Sequence, residues 1–350
     1  MPSASTITIA RPDDWHLHLR DGARLASVVA DSAARFGRAI VMPNLKPPVA
    51  TVADALAYRE RILAARPPAS SFEPLMTLYL TEATTPETIA ELAATEGVVA
   101  VKLYPAGATT NSEAGVTGLD PLAPVFEAMA SHGVPLLIHG ESTDPGCDVF
   151  DREAEFIAGP LTRLRERHPG LKIVLEHITT AEAAAWVRAA GPLTAATITA
   201  HHLLLNRNAI FQGGIRPHYY CLPILKREHH REALVDAATS ASNQGQFFLG
   251  TDSAPHPISG KHAACGCAGI YTAHAALELY AEVFEDAGAL DRLEAFASAH
   301  GPDFYGLPRN SQTITLVREP WQVPETLEFG DERLVPLRAG ETVRWRLSDD

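Results

Sequence analysis

The chain has 350 residues, 46% hydrophobic and 20% charged, a globular composition long enough to bury a core without staples. Its 29 basic against 42 acidic side chains leave a net charge of −13, a field that repels phosphate backbones and argues against nucleic-acid partners. Four cysteines are too few for a disulfide scaffold, the first residues lack a secretion-leader pattern, and no apolar run reaches membrane-spanning length, so the expectation is a cytoplasmic protein with no membrane partner.

Short apolar runs alternate with longer, Ala-rich amphipathic segments. In chain order the runs are TITIA (6–10), RAIVMPN (38–44), LMTLYLT (75–81), VVAVKLYP (98–105), PLLIHG (135–140), KIVLEHI (172–178), LTAATITAHHL (193–203) and QFFLGTD (246–252). Each is β-branched or Leu-rich and stops at a polar or turn residue, as strands buried on both faces of a parallel sheet do. The segments between them, such as ADALAYRERILAAR and DREAEFIAGPLTRLRERH, carry helical periodicity. Eight such strands predict a (β/α)₈ barrel spanning residues 1–350 as one domain. A doubly wound open sheet would normally place a Gly-rich phosphate loop after its first strand, and DDWHLHLRDG is not one. Beyond about residue 306, Pro-rich text and ETVRWRL predict an appendage packed outside the barrel.

A barrel enzyme works at the C-terminal ends of its strands. His16 and His18 follow the first predicted strand, Lys102 lies in the fourth, His139 ends the fifth, His177 the sixth and Asp252 the eighth. Residues i and i+2 of an extended segment share a side, so His16 and His18 can chelate one ion; two surface histidines have the same spacing. His139 or His177 alone is as well explained as a hydrogen-bonded core residue, and Asp252 as a helix cap. Four histidines and an aspartate at strand ends together favour a metal centre. Lys102 sits among apolar neighbours, where a lone ammonium is costly. It is either paired with a nearby carboxylate or carbamylated to a carboxylate long enough to bridge two metals.

The motifs D-W-H-L-H-L-R (14–20), M-P-N (42–44), V-K-L-Y-P-A-G-A-T-T-N (101–111), L-I-H-G-E (137–141), L-E-H-I-T-T (175–180), R-P-H-Y-Y-C-L-P (216–223) and G-T-D-S-A-P-H-P-I-S-G-K (250–261) span nearly the whole chain. On them the chain resembles the amidohydrolase superfamily and, within it, the shorter bacterial dihydroorotases. The resemblance implies two Zn²⁺ per subunit. His16, His18 and Asp252 would hold one, His139 and His177 the other, with N6-carboxylysine at Lys102 and an activated hydroxide between them. It implies Asp252 as general acid and base. Substrate would meet Arg20, Asn44, His139, His256 and the backbone of Leu222 and Ala268. Arg20 would capture a carboxylate with its fixed fork. Thr109 and Thr110 would ride a lid over residues 106–116; an ordinary exposed loop is the plain alternative.

The implied activity is the zinc-dependent, reversible cyclisation of N-carbamoyl-L-aspartate to L-dihydroorotate in de novo pyrimidine biosynthesis, by a cytoplasmic homodimer. The rivals are another cyclic amidase, of hydantoinase or allantoinase type, and a barrel scaffold without catalysis. Cys265 and Cys267 lack a second cysteine pair and read as incidental or structural. His201 and His202 compete as ligands at the seventh strand end, whereas His229 and His230 read as the solvated start of a helix.

Overall fold

The computed structural model describes residues 5–264 and 266–348. Eight parallel strands follow one another in sheet order: β2 (Asp14–Leu17), β3 (Arg38–Val41), β4 (Glu73–Tyr79), β5 (Val98–Leu103), β6 (Leu136–Ile138), β7 (Ile173–Leu175), β8 (Thr194–Ile198) and β9 (Phe247–Leu249). The sheet curls until its ends meet. Leu17 forms a parallel bridge with Ser253, and His18 N–H donates to the Ser253 carbonyl at 3.0 Å. The predicted (β/α)₈ barrel is the observed architecture.

Helices α1 (Ala23–Arg35), α2 (Val52–Ala65), α3 (Pro86–Ala93) and α4 (Ala123–His132) follow the first four barrel strands. Thr51 and Thr85 cap α2 and α3 by accepting from Asp54 N–H and Thr88 N–H. The long helix expected over 151–168 comes in three parts: α5 (Arg152–Phe156), a π-helical turn holding Pro160, and α6 (Thr162–Arg167). Proline offers no N–H to the ladder, and the wider turn absorbs it. Then come α7 (Ala181–Ala189), the short α8 (Ala200–Leu204), α9 (Glu228–Thr239), the short α10 (Ile258–Lys261), α11 (Ala276–Asp286) and α12 (His300–Tyr305).

One expectation needs correcting. TITIA forms β1 (Thr6–Ala10), but β1 lies outside the barrel and pairs antiparallel with β10 (Thr313–Val317), which in turn pairs with β15 (Arg346–Leu347). The first barrel strand is Asp14–Leu17, so His16 stands inside it and not beyond it. The burial patterns explain the difference: only Ile9 of TITIA is buried, whereas all four residues of DWHL are. Two small hairpin-like pairings complete the C-terminal region, β11 (Trp321–Gln322) with β14 (Thr342–Val343), and β12 (Leu327–Phe329) with β13 (Glu332–Leu334).

The barrel interior is filled by Trp15, Ile40, Met42, Ala100, Leu137, Val174, Ala195 and Phe248, with Phe304, Tyr305 and Leu307 packed against them. Trp15 stacks on Tyr305 with ring centroids 4.5 Å apart. Gly301 is required beneath it, because a Cβ there would run into the indole nitrogen. A far larger apolar layer fills the space between barrel and helices. The opposite end of the barrel is left to polar side chains. No helix among the described residues is long and apolar enough to cross a membrane.

Candidate active site

Strand β2 carries a register shift between Asp14 and Leu17. In a regular strand Trp15 and His16 would face opposite ways; the bulge turns both into the barrel, Trp15 at the floor and His16 at the site. Three other site residues, Arg20, His177 and Asp252, have φ of 62°, 42° and 43°. Non-glycine residues rarely adopt that region, and here it bends the chain just after strands so that side chains aim at a common centre.

His16 Nε2 and His18 Nε2 are 3.4 Å apart, and Asp252 Oδ1 lies 3.3 Å from the first and 3.1 Å from the second. His177 packs edge-on between His16 and His139, with ring centroids 4.9 and 4.8 Å away. The His139 Nε2 turns to Glu141 at 2.7 Å. Lys102, fully buried in β5, hydrogen-bonds the Glu176 carboxylate, whose other oxygen lies 2.9 Å from His16 Nδ1. The carboxylate beside the Lys102 amine is that of Glu176. Sequence reasoning assigned no role to Glu176, Glu141 or Tyr104. Glu176 adjoins His177, while Glu141 and Tyr104 stand two residues from His139 and Lys102; a charge inside LIHGE and LEHI is the signal for the two glutamates.

These donors suit a divalent cation, which takes neutral imidazoles and ionised carboxylates. Burial holds His18 down at about 4 and His177 well below its ordinary value. Burial would raise Asp252, but His16 and His18 keep it far below the usual carboxylate range. His16 differs: burial pulls it down, yet Glu176 at its flank lifts it to about 9. That proton answers surrounding carboxylates, a task a cation performs equally. His177 Nδ1 is buried without a hydrogen bond. Two donor sets have all ligating atoms within 4.8 Å of one another: His16, His18 and Asp252, and His16, Glu176 and His177.

A third set among the described residues, His201, His202 and Cys221, is equally compact. There, however, His202 already binds Thr199 Oγ1 and the Pro223 carbonyl, at 2.8 and 3.0 Å. Burial pushes the Cys221 thiol up to about 12. His229 and His230 lie in the first turn of α9, as expected.

Eleven of the predicted residues line one small cavity: His16, His18, Arg20, Asn44, Thr109, Thr110, His139, His177, Leu222, Asp252 and Ala268. Its free volume of about 20 Å³ holds about one water. Lys102 lies beneath it, with its ammonium over the Tyr104 ring at 4.8 Å. Asn44 fixes His18 by meeting its Nδ1 at 2.9 Å, which leaves Nε2 facing Asp252, and donates to the Thr110 carbonyl at 3.0 Å. Thr110 Oγ1 donates to the Ala268 carbonyl at 3.4 Å. Like Lys102, His256 is not part of the cavity wall. It sits behind Arg20, whose Nη2 lies 2.9 Å from its Nε2, and faces an outer vestibule of about 500 Å³ that Arg20, Thr110 and Asn111 also border. Cys267 borders the same vestibule, and Cys265 lies outside the described residues.

The model of the amidohydrolase family matches residues 9–318. A dihydroorotase from Variovorax paradoxus is 66% identical over 342 residues, covering 98% of this chain and 99% of that one. The crystal structure of dihydroorotase from Campylobacter jejuni superposes with a TM-score of 0.90 at 36% identity, covering 99% of both chains. Dihydroorotase from Saccharomyces cerevisiae, solved with 5-fluoroorotic acid, gives 0.90 at 33% identity, again over 99% of both.

Proposed function

The chain belongs to the dihydroorotases of the amidohydrolase family, hydrolases that act on cyclic amides, and from that premise we propose that it interconverts N-carbamoyl-L-aspartate and L-dihydroorotate in de novo pyrimidine biosynthesis. The observation that carries the reading is the convergence of His16, His18 and Asp252 within 3.1–3.4 Å of one another, beside an arginine that borders both cavity and vestibule.

His16, His18 and Asp252 would hold one Zn²⁺, His139 and His177 a second, with Lys102 between them as N6-carboxylysine once its amine has added to CO₂ and lost a proton. Two such ions, when bound, bring the pKa of water towards neutrality and polarise the amide carbonyl. In ring opening Asp252 takes the proton of the attacking water and returns it to the leaving ring nitrogen; in ring closure the two transfers reverse. Arg20, Asn44 and His256 clamp the carboxylate beside the ring, a group for which a plain hydantoinase has no use. Backbone groups of Leu222 and Ala268 read the ring amides, and His139 meets the substrate as well as metal. Thr109 and Thr110 close over the ligand and keep water out. About one water fits the cavity as it stands, so the 106–116 loop opens for substrate to enter. Family likeness further supports a homodimer in the cytoplasm, each subunit a single barrel domain over residues 1–350 with an appendage from about 306.

The test is conversion of both compounds by purified protein, before and after chelation and after zinc is restored. Activity lost with the metal and regained with zinc is the expected result. A protein that binds two zinc ions and converts neither compound would overturn the substrate assignment.

A further inference from the structure

Away from the cavity, another pair of histidines adopts the ring geometry of the catalytic cluster. His218, in the turn Pro217–Tyr219, and His262, just past α10, are hydrogen-bonded Nε2 to Nε2 at 2.9 Å, so that both nitrogens face one point. Their ring centroids stand 4.9 Å apart at 63°. Inside the cavity His16–His18, His16–His177 and His139–His177 stand at 5.3, 4.9 and 4.8 Å, with angles of 64°, 62° and 67°. The histidines adjacent in sequence differ: His201–His202 are at 4.5 Å and 46°, His229–His230 at 4.0 Å and 41°.

Two imidazole nitrogens each bonded to one cation at about 2.0–2.1 Å lie about 2.9 Å apart at a right angle and about 3.3 Å apart at the tetrahedral angle. The observed separation falls at the near end of that span. His262 is exposed and His218 half-buried, so water can complete a coordination shell. Burial, with His262 and Lys261 adding to it, holds His218 at about 4, so its ring is neutral near pH 7. The two segments are already locked together. Lys261 donates to the carbonyls of Tyr220, Cys267 and Gly269, each at 2.8 Å, so a chelating pair here needs little further ordering.

We propose that His218 and His262 form an accessory site for one borderline divalent cation, of the Zn²⁺ or Cu²⁺ class, separate from the catalytic cluster and completed by water. Imidazole is a good ligand for such ions and a poor one for Mg²⁺ or Ca²⁺. An ion there would cross-link 216–222 to 258–269 on the outside, while Leu222 and Ala268 of the same segments line the cavity within.

Copper titrated into protein holding two zinc ions per chain and no more, followed by electron paramagnetic resonance and by analysis of released zinc, tests this. The expected result is one additional copper per chain, bound through two imidazole nitrogens and without zinc release. His262→Ala and His218→Ala should each abolish it and leave the activity measured before copper addition unchanged. A Cys265→Ser, Cys267→Ser double variant should retain it. No additional copper in the wild type, equal uptake by His262→Ala, or loss in the cysteine variant would each overturn the proposal; His262→Ala, on an exposed side chain, keeps the test clear of folding defects.

Discussion

The backbone N–H of Asp252 donates to the carbonyl of His16 at 2.8 Å. The residues flank the seam where the last barrel strand meets the first, and Asp14 stitches the same seam by accepting from Thr251 N–H at 2.9 Å and Thr251 Oγ1 at 2.6 Å. Closing the barrel and assembling the His16, His18 and Asp252 donor set are therefore one structural event.

That seam separates what the Asp252 side chain does from what its backbone does. In Asp252→Asn the bond to His16 survives, because it involves no side-chain atom, but the amide cannot take a proton. The expected result is a fall in kcat of about 10²- to 10⁴-fold with an unchanged circular dichroism spectrum. Wild-type kcat in this variant would remove Asp252 from the proton transfer.

Glu176 touches both Lys102 and His16, so Glu176→Gln strips the carboxylate that orients one histidine and borders the Lys102 side chain. Outer partners of ligating histidines are worth about 10–100-fold in metal affinity. Competition with a chelator should show weakening of that order. Unchanged metal retention would limit Glu176 to packing.

Arg20 is bonded to the Pro255 carbonyl and to His256, and to none of the donor set. Arg20→Ala should therefore raise KM strongly while zinc content measured by elemental analysis stays at the wild-type value. Loss of zinc would contradict its placement as a carboxylate clamp.

His274 offers a pH dependence far from the metal residues. Burial, reinforced by Arg35, depresses it from 6.5 to about 3. Between those values the unfolded chain binds the proton and the folded chain does not, so the stability is complete above pH 6.5 and is lost as pH falls towards 3. By pH 5 the loss amounts to about 2 kcal/mol. Denaturant titrations at pH 7 and pH 5 should show a smaller decrease for His274→Phe than for wild type, and parallel decreases would refute the assignment.

Seven barrel strands are legible because a strand buried on both faces must be an apolar run bounded by turn residues. The first is hidden because DWHL spends two of four positions on polar groups that serve the seam and the site. TITIA, with better β-forming residues, satisfies the local pattern and pairs elsewhere. The cavity histidines His18, His139 and His177 are legible because each follows a strand, whereas His16 stands within one. Glu176 is not, because its partners Lys102 and His16 lie on other strands, and only barrel closure brings the three together. The place of His256 behind Arg20 depends likewise on how the loop after β9 folds back.

The sheet formed by β1, β10 and β15 has a consequence for the order in which this chain matures on the ribosome. β1 leads directly into the strand that bears His16, yet its pairing partner is the segment 313–317, itself paired with 346–347, far later in the chain. A nascent chain can build the middle of the barrel vectorially, but the segment leading to its first histidines stays unpaired until those residues emerge. A chain released before residue 313 thus leaves β1 an open edge.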